Sequence, residues 1–263
     1  MEKEEGGKIV SLALDLAPSK KNRKIQEILK GHYFDNADAD AGDAFLEIGV
    51  DEAGRGPMFG RVYVSAVVLP RDSTQFDFSK VKDSKKFHSD KKIREAADYI
   101  KTHAISWSVK FAEHDTIDAL NIRRATIQTM HEAIREVCDD IRSQGKNRNG
   151  EEFYLLIDGN DFIPMLHPHL QSQSHDSKQS KHLHYSTIEG GDNAYASIAA
   201  ASILAKVSRD EYIIELCKEH PELQEKYDLE NNKGYGTKKH MDGIKQHGIS
   251  EWHRRSFGIC KNY

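Results

Sequence analysis

The fold is most clearly indicated by the segment Phe45-Leu46-Glu47-Ile48-Gly49-Val50-Asp51-Glu52-Ala53-Gly54-Arg55-Gly56-Pro57. Its largely apolar first half predicts a core strand over residues 46–50. Because successive strand residues point to opposite faces, both acids can serve one site only if Asp51 ends the strand and Glu52 belongs to the following turn. Gly54 and Gly56 favour such a turn, since glycine tolerates positive φ. The alternative is an ordinary hairpin turn whose acids face solvent.

Further strands and helices are mixed along the rest of the chain. Valine-rich or alternating patterns predict strands at 62–69, 105–111 and 153–157. Apolar stripes and possible capping residues predict helices at 90–100, 116–141, 193–217 and 238–246. The sequence therefore predicts one α/β domain with helical additions at its C-terminus.

Composition excludes several classes of protein. The 263 residues are 38% hydrophobic and 30% charged, and 18 glycines with 6 prolines are too few for a collagen-like or low-complexity chain. No apolar run reaches the roughly 18 residues that a membrane helix needs, so no membrane partner is expected. Three cysteines without a CxxC pair disfavour a disulfide framework and a structural zinc site. The charged start lacks the apolar core of a secretory signal, so an intracellular location, cytoplasmic by default, is expected.

Two segments are expected to lie outside the core. Residues 1–44 are predicted to form an N-terminal appendage that ends in a small, acidic linker. The linker has a passing likeness to a calcium loop running from Asn36 to Glu47, but Ala41 replaces the glycine of the sharp turn, which favours a solvated linker. Residues 164–184 are rich in Ser, Gln and His and predict a solvated surface loop, with a transition-metal site as the alternative.

Net charge and its distribution point in opposite directions. The formal charge of -4 argues against nucleic acid, because phosphate binding is driven largely by Lys and Arg. Residues 231–263, however, hold seven Lys and Arg against two acids, a local +5. The C-terminal segment is therefore a candidate anion-binding face.

Two more acids are candidates for the site of Asp51 and Glu52. Asp158 follows the predicted strand 153–157, and Asp192 stands just ahead of an Ala-rich helix. Taken singly, each has an ordinary explanation, a turn aspartate for Asp158 and a helix N-cap for Asp192. Together the four acids form the set that two Mg²⁺ ions require, because Mg²⁺ prefers carboxylate and water oxygens.

Several motifs in order resemble one family. They are Ile48 to Pro57 (IGVDEAGRGP), Asp83 to Lys86 (DSKK), Ile157-Asp158-Gly159, Gly191-Asp192, Ser197 to Asp210 (SIAAASILAKVSRD), Lys233 to Thr237 (KGYGT) and His253 to Phe257 (HRRSF). Over roughly residues 46–257 the chain resembles type 2 ribonucleases H, the ribonuclease HII family. Several motifs in the same order are far more specific than any one of them.

The resemblance implies a fold and an activity. The fold would be an α/β ribonuclease H-like mixed sheet of five strands flanked by helices, with a catalytic domain over 45–220 and a basic helical extension over 221–263 packed on it. The activity would be endonucleolytic hydrolysis of the RNA strand of RNA/DNA hybrids, and cleavage 5′ to ribonucleotides embedded in duplex DNA. It would use two Mg²⁺ or Mn²⁺ ions and leave 5′-phosphate and 3′-hydroxyl ends. A monomer is expected, with partner subunits left open.

The resemblance also assigns roles to residues. The metal-binding, catalytic acids would be Asp51, Glu52, Asp158 and Asp192. Gly54, Arg55 and Gly56 would probe the ribose 2′-OH, the group that distinguishes RNA from DNA, and Tyr235 would pack against the sugar. Lys85 would contact a phosphate. Lys206 and Arg209 match basic substrate-binding positions, although a solvated helix face or a pair with Asp210 would explain them equally.

Two other functions stay open at this point. One is a non-catalytic hybrid-binding or assembly subunit with the same fold, which the presence of all four acids disfavours. The other is a nuclease acting on DNA alone, which the Gly54-Arg55-Gly56 stretch and Tyr235 disfavour.

Overall fold

A five-stranded sheet forms the centre of the computed structural model, which describes residues 29–34, 45–145, 152–165 and 183–263. The strands are β1 (Phe45–Ala53), β2 (Val62–Val68), β3 (Ser106–Ala112), β4 (Glu152–Asp158) and β5 (His184–Ile188). They lie in the order β3-β2-β1-β4-β5, with β1 to β3 antiparallel and β4 and β5 parallel to β1. The mixed five-stranded sheet expected from the resemblance is confirmed, although the sequence pattern alone had not predicted β5.

The central strand β1 extends past its parallel neighbour. Its pairing with β4 ends at Val50 and Ile157, whereas its pairing with β2 continues to Ala53. β1 therefore includes both Asp51 and Glu52. The prediction that Glu52 belongs to the turn was wrong, because the pairing of β1 with β2 continues beyond the point where its pairing with β4 ends.

Seven α-helices occur within the described residues. They are α1 (Asp90–His103), α2 (His114–Leu120), α3 (Ile122–Ser143), α4 (Ala196–Glu219), α5 (Pro221–Tyr227), α6 (Leu229–Asn232) and α7 (Lys238–His247). The single helix predicted over 116–141 is divided into α2 and α3. Asn121 interrupts it with a φ of 71°, and its side chain accepts a hydrogen bond from the Arg124 N–H at 3.1 Å, which caps α3.

Helices cover both faces of the sheet. α3 packs on one face through Met130, Ile134 and Val137, and α1 and α4 pack on the other. The approach of α4 to β1 is so close that a Cβ at Gly49 would overlap the backbone of Ser197. This contact holds the start of α4 beside the central strand.

The remaining described segments pack on this core. Phe59 joins the second half of α4 and helices α5 and α7 in a separate buried cluster. Residues 29–34, part of the predicted appendage, lie against the sheet, and Glu47 is a buried residue of β1. The rest of the appendage, its calcium-like segment up to residue 44 and residues 166–182 of the His-rich loop lie outside the described residues. No helix in the described ranges is both long and apolar enough to cross a membrane.

Candidate active site

Four carboxylates lie together where β1 and β4 end. Asp51 and Glu52 belong to the last part of β1, Asp158 ends β4, and Asp192 lies in a short 3-10 turn that leads to α4. All four line one open cleft of about 490 Å³. The Asp192 N–H donates to Asp158 Oδ1 at 3.4 Å, which ties the turn to the end of β4. The structure thus places the four acids singled out in the sequence in a single cleft.

Asp51 and Glu52 are neighbours in β1, and both border this cleft because β1 extends past the end of β4. Beyond the Val50–Ile157 pair, β2 is the strand that still flanks β1, so the side where β4 has ended is open. Asp51 is 5% exposed, and its Oδ1 accepts the Glu52 N–H at 2.7 Å. Glu52 is partly exposed and pairs with Arg55 at 3.2 Å. Both side chains therefore border the cleft although they leave the strand on opposite faces.

Three of the four acids have raised pKa values. Burial raises the pKa of Asp51 well above its usual range, and the nearby charges of Glu52 and Asp158 raise it further. Burial likewise raises the pKa of Glu52, against the opposing effect of Arg55. Burial and the charge of Asp192 raise the pKa of Asp158. A bound cation would oppose these shifts, because positive charge favours the ionised carboxylates.

A lysine stands at the rim of the cleft. Lys85 lies in a 3-10 turn capped by Asp83, and its Nζ is 3.3 Å from Asp192 Oδ2. The attraction of Asp192 outweighs burial and raises the pKa of Lys85. Its side chain is 79% exposed. Contact of its ammonium group with a phosphate stays a prediction.

Two buried arginines hold the loop that follows β1. Arg254 is fully buried and donates at 2.7–3.2 Å to the carbonyl oxygens of Gly54, Arg55, Pro57 and Gly60. Arg209 is 2% exposed and donates at 2.8–3.4 Å to the carbonyl oxygens of Phe59, Arg61 and Lys233. No role was predicted for Arg254, although it belongs to the HRRSF motif, which was the signal that could have identified it.

The two glycines of this loop have different surroundings. Gly54 is buried with a φ of 94°, and a Cβ there would overlap the Arg209 side chain. Gly56 is exposed, and a Cβ there would stand 3.6 Å from the Tyr235 ring. The loop conformation therefore requires glycine at position 54, whereas a side chain at position 56 would make an ordinary van der Waals contact with the ring. Contact of this backbone with a ribose stays a prediction.

Tyr235 projects beside the loop from a braced backbone. Its side chain is 50% exposed, and the Arg209 guanidinium lies 5.8 Å from the ring centroid. The Tyr235 carbonyl accepts from His240 Nδ1 at 2.9 Å, and His240 Nε2 lies 3.0 Å from Nε2 of His253. His253 Nδ1 accepts from the Ser250 N–H, so its proton is on Nε2 and points to His240. This chain of neutral histidines fixes Tyr235 at the edge of the cleft.

The two basic residues of α4 differ in what they can contact. Lys206 lines the cleft and pairs with Asp210 at 2.8 Å, the partner that the alternative explanation named. Arg209, predicted as a substrate contact, is buried with its donors on carbonyl oxygens. Because those bonds hold the loop and the segment before Tyr235, the structure gives Arg209 a supporting position instead.

The donor set fits a divalent cation. Four carboxylates in one cleft supply the hard oxygen ligands that Mg²⁺ and Mn²⁺ take. Burial and then the charges of Glu52 and Asp158 raise the pKa of Asp51, and a cation would relieve the repulsion between these carboxylates. Within the described residues, no group of three or more such side chains already stands at metal-binding spacing.

The fold and the cleft define a class, an α/β protein of the ribonuclease H type with an acidic site at its strand ends. The family model for ribonuclease HII matches residues 48–260. A relative named ribonuclease HII from Parabacteroides distasonis is 39% identical over 214 residues, covering 81% of this chain and 90% of its own.

Solved structures share the fold. The ribonuclease H2 from Pyrococcus horikoshii OT3 has a TM-score of 0.60 at 19% identity and covers 82% of this chain and 95% of its own. Bst-RNase HIII in complex with Mn²⁺ has a TM-score of 0.57 at 17% identity, covering 83% of this chain and 68% of its own. With the family match and the curated relative, these findings place the chain in the ribonuclease HII family, whose members are nucleases of the ribonuclease H type.

Proposed function

We propose that this protein is an endoribonuclease that hydrolyses the RNA strand of RNA/DNA hybrids and cuts 5′ to ribonucleotides embedded in duplex DNA. The observation that carries the proposal is the cleft that combines Asp51, Glu52, Asp158 and Asp192 with the Gly54–Gly56 loop and Tyr235. Two divalent ions, Mg²⁺ or Mn²⁺, and products with 5′-phosphate and 3′-hydroxyl ends belong to the same proposal. Bst-RNase HIII was solved in complex with Mn²⁺, which supports this choice of ion.

One set of residues would bind the divalent ions, and another would position the substrate. The four carboxylates would hold the divalent ions, which supply activation of the attacking water and stabilisation of the leaving oxygen. Lys85, at the rim, would meet a non-bridging phosphate oxygen. The exposed backbone of Arg55 and Gly56 would approach the ribose, and Tyr235 would pack against the sugar. Arg254 and Arg209 would keep that loop in place during the reaction.

A duplex DNA with one embedded ribonucleotide tests this function directly. Incubated with the protein and Mg²⁺ or Mn²⁺, it should be cut on the 5′ side of the ribonucleotide, and end labelling should show a 3′-hydroxyl and a 5′-phosphate. An all-DNA duplex of the same sequence is the matched control. Equal cutting of both would favour a DNA nuclease, and binding without cutting would favour a hybrid-binding subunit. Sedimentation of the active protein would test the expected monomer.

Divalent ions should stabilise the fold. Like charges about 4 Å apart repel by about 4 kcal/mol at an effective dielectric of about 20, and a cation relieves this repulsion. Ion at about one hundred times its dissociation constant would stabilise by about 2.7 kcal/mol, which corresponds to about 5–10 °C in melting temperature for a chain of this size. Thermal melts with Mg²⁺ or Mn²⁺, compared with KCl at equal ionic strength, measure the shift. Identical melting curves would argue against the metal site.

Tyr235→Ala should reduce the preference for a ribonucleotide. The ring is half exposed beside Gly56, and its packing against a sugar is worth about 1–2 kcal/mol, so the ratio of cleavage rates at ribose and deoxyribose should fall about tenfold. Tyr235→Phe keeps the ring and should retain the ratio. Tyr263→Ala, at an exposed tyrosine that does not line the cleft, is the second control. An unchanged ratio in Tyr235→Ala would remove the ring from the recognition of ribose.

A further inference from the structure

A short N-terminal segment contacts the backbone that carries Asp192. The Lys30 N–H donates to the Ala194 carbonyl at 2.8 Å, and the Ala196 N–H donates to the Lys30 carbonyl at 2.9 Å. These two bonds form a parallel bridge between Lys30 and Tyr195. The segment precedes the region that the ribonuclease HII family model matches, which begins at residue 48. A segment outside the matched region is thus hydrogen-bonded to the backbone two residues after Asp192.

The bridge provides a hydrogen-bond acceptor for the first turn of α4. The first N–H groups of a helix have no partner within it and are usually satisfied by a capping side chain. The N-cap of α4 is Tyr195, and its side chain makes no capping hydrogen bond. The Lys30 carbonyl takes the N–H of Ala196, the first residue of the helix. The start of α4 is therefore capped by the N-terminal segment.

The segment is itself anchored to the sheet. The N–H groups of Tyr33 and Phe34 donate to the two carboxylate oxygens of Glu47 at 2.9 and 3.0 Å. Glu47 is 6% exposed and also pairs with Arg71 at 3.3 Å. The Tyr33 ring lies 5.5 Å from that of Tyr195, centroid to centroid. A charge-assisted anchor on β1 and an aromatic contact with Tyr195 thus hold the segment between β1 and the start of α4.

We infer that residues 30–34, which we call the N-terminal clamp, position Asp192 by fixing the backbone between Gly191 and Ala196. The inference rests on the proposed function in one respect, that Asp192 is a metal ligand. The clamp touches neither the cleft nor the substrate-binding loop. Its loss should therefore weaken metal binding at Asp192 and leave the affinity for a hybrid duplex unchanged.

Two substitutions at one position in the full chain test the clamp. Lys30→Pro removes the N–H that bonds Ala194. Lys30→Ala keeps that N–H and loses the side chain beyond Cβ, including the ammonium group that lies 5.9 Å from the centroid of the Tyr195 ring. We expect Lys30→Pro to weaken Mn²⁺ binding about tenfold, the lower end of what loss of an outer partner of a metal ligand costs. Lys30→Ala should bind Mn²⁺ as the unmodified protein does. Electron paramagnetic resonance of free Mn²⁺ measures the affinity, and hydrogen exchange at the Ala196 amide reports on the bridge.

Further measurements separate the possible failures. Glu47→Gln replaces one of the two anchoring oxygens and should change Mn²⁺ affinity and Ala196 exchange in the same direction, which keeps the test valid if Lys30→Pro does not fold. Unchanged affinity and unchanged exchange in both variants would overturn the clamp. If the unmodified protein neither cuts a ribonucleotide-containing duplex nor binds Mn²⁺, the proposed function fails instead. In that case exchange at Ala196 still decides whether residues 30–34 hold the start of α4.

Discussion

Asp51→Asn is expected to abolish cleavage while hybrid binding persists. Asp51 is buried and lies close enough to Glu52 and Asp158 for their charges to raise its pKa, after the larger effect of burial. The amide removes a negative charge without changing the size of the side chain. A metal ligand at such a site contributes several kcal/mol to the transition state, so a loss of about 4 kcal/mol lowers the rate about a thousandfold. Single-turnover cleavage of a duplex with one ribonucleotide measures the rate, and fluorescence anisotropy measures binding.

A matched control separates catalysis from general loss of charge. Asp72→Asn makes the same change at an exposed turn outside the cleft, where the side chain accepts the Thr74 N–H. Its cleavage rate should match that of the unmodified protein. Asp158→Asn should behave as Asp51→Asn does. An Asp51→Asn protein that cuts within tenfold of the normal rate would show that this carboxylate is not a ligand of the reacting metal.

Arg254→Met is expected to cause the largest loss of stability. The substitution keeps a long apolar side chain but leaves four carbonyl oxygens of the loop after β1 without their donor. Unsatisfied buried groups cost about 1–3 kcal/mol each, with partial relief as the loop relaxes, so we expect a loss of about 4 kcal/mol. The melting temperature should fall by about 10 °C. Urea unfolding and thermal melts both measure the effect.

The neighbouring arginine provides the control for this substitution. Arg255 is exposed, and its contact with Asp118 uses the backbone N–H, which Arg255→Met retains. That variant should lose less than about 0.5 kcal/mol, as exposed positions usually do. Arg254→Lys should resemble Arg254→Met, because one ammonium group cannot reproduce the fork of a guanidinium. A stable Arg254→Met protein with normal cleavage would show that the loop holds its shape without these bonds.

The strands and helices that depend mainly on neighbouring residues were predicted from the sequence. The core strand β1 and the helix α1, whose N-cap is Ser89, follow from apolar patterning and capping. The end of β1 was predicted too early, because the length of the strand depends on how far β2 continues beside it. The break at Asn121 was not predicted, since the apolar stripe continues on both sides of this residue with positive φ.

The acids and the tyrosine of the site were predicted from the sequence, but the residues that support its loop were not. The four acids and Tyr235 are recognisable by residue type and motif, and the structure brings all five to one cleft. The supporting roles of Arg254 and Arg209 could not be predicted, because a basic residue in sequence gives no sign of whether it faces a phosphate or a buried carbonyl. Nor could the contact of Lys30 with the start of α4 be predicted, since its partners are backbone groups.

The bonds from Arg254 to the loop after β1 also make the shape of the cleft depend on a contact between segments that are distant in sequence. The Arg254 guanidinium and the Gly54 carbonyl are separated by 200 positions. The entropy cost of closing so long a loop of chain must be met before these hydrogen bonds can form. The loop beside the acids can therefore take its observed conformation only after the two segments have come together.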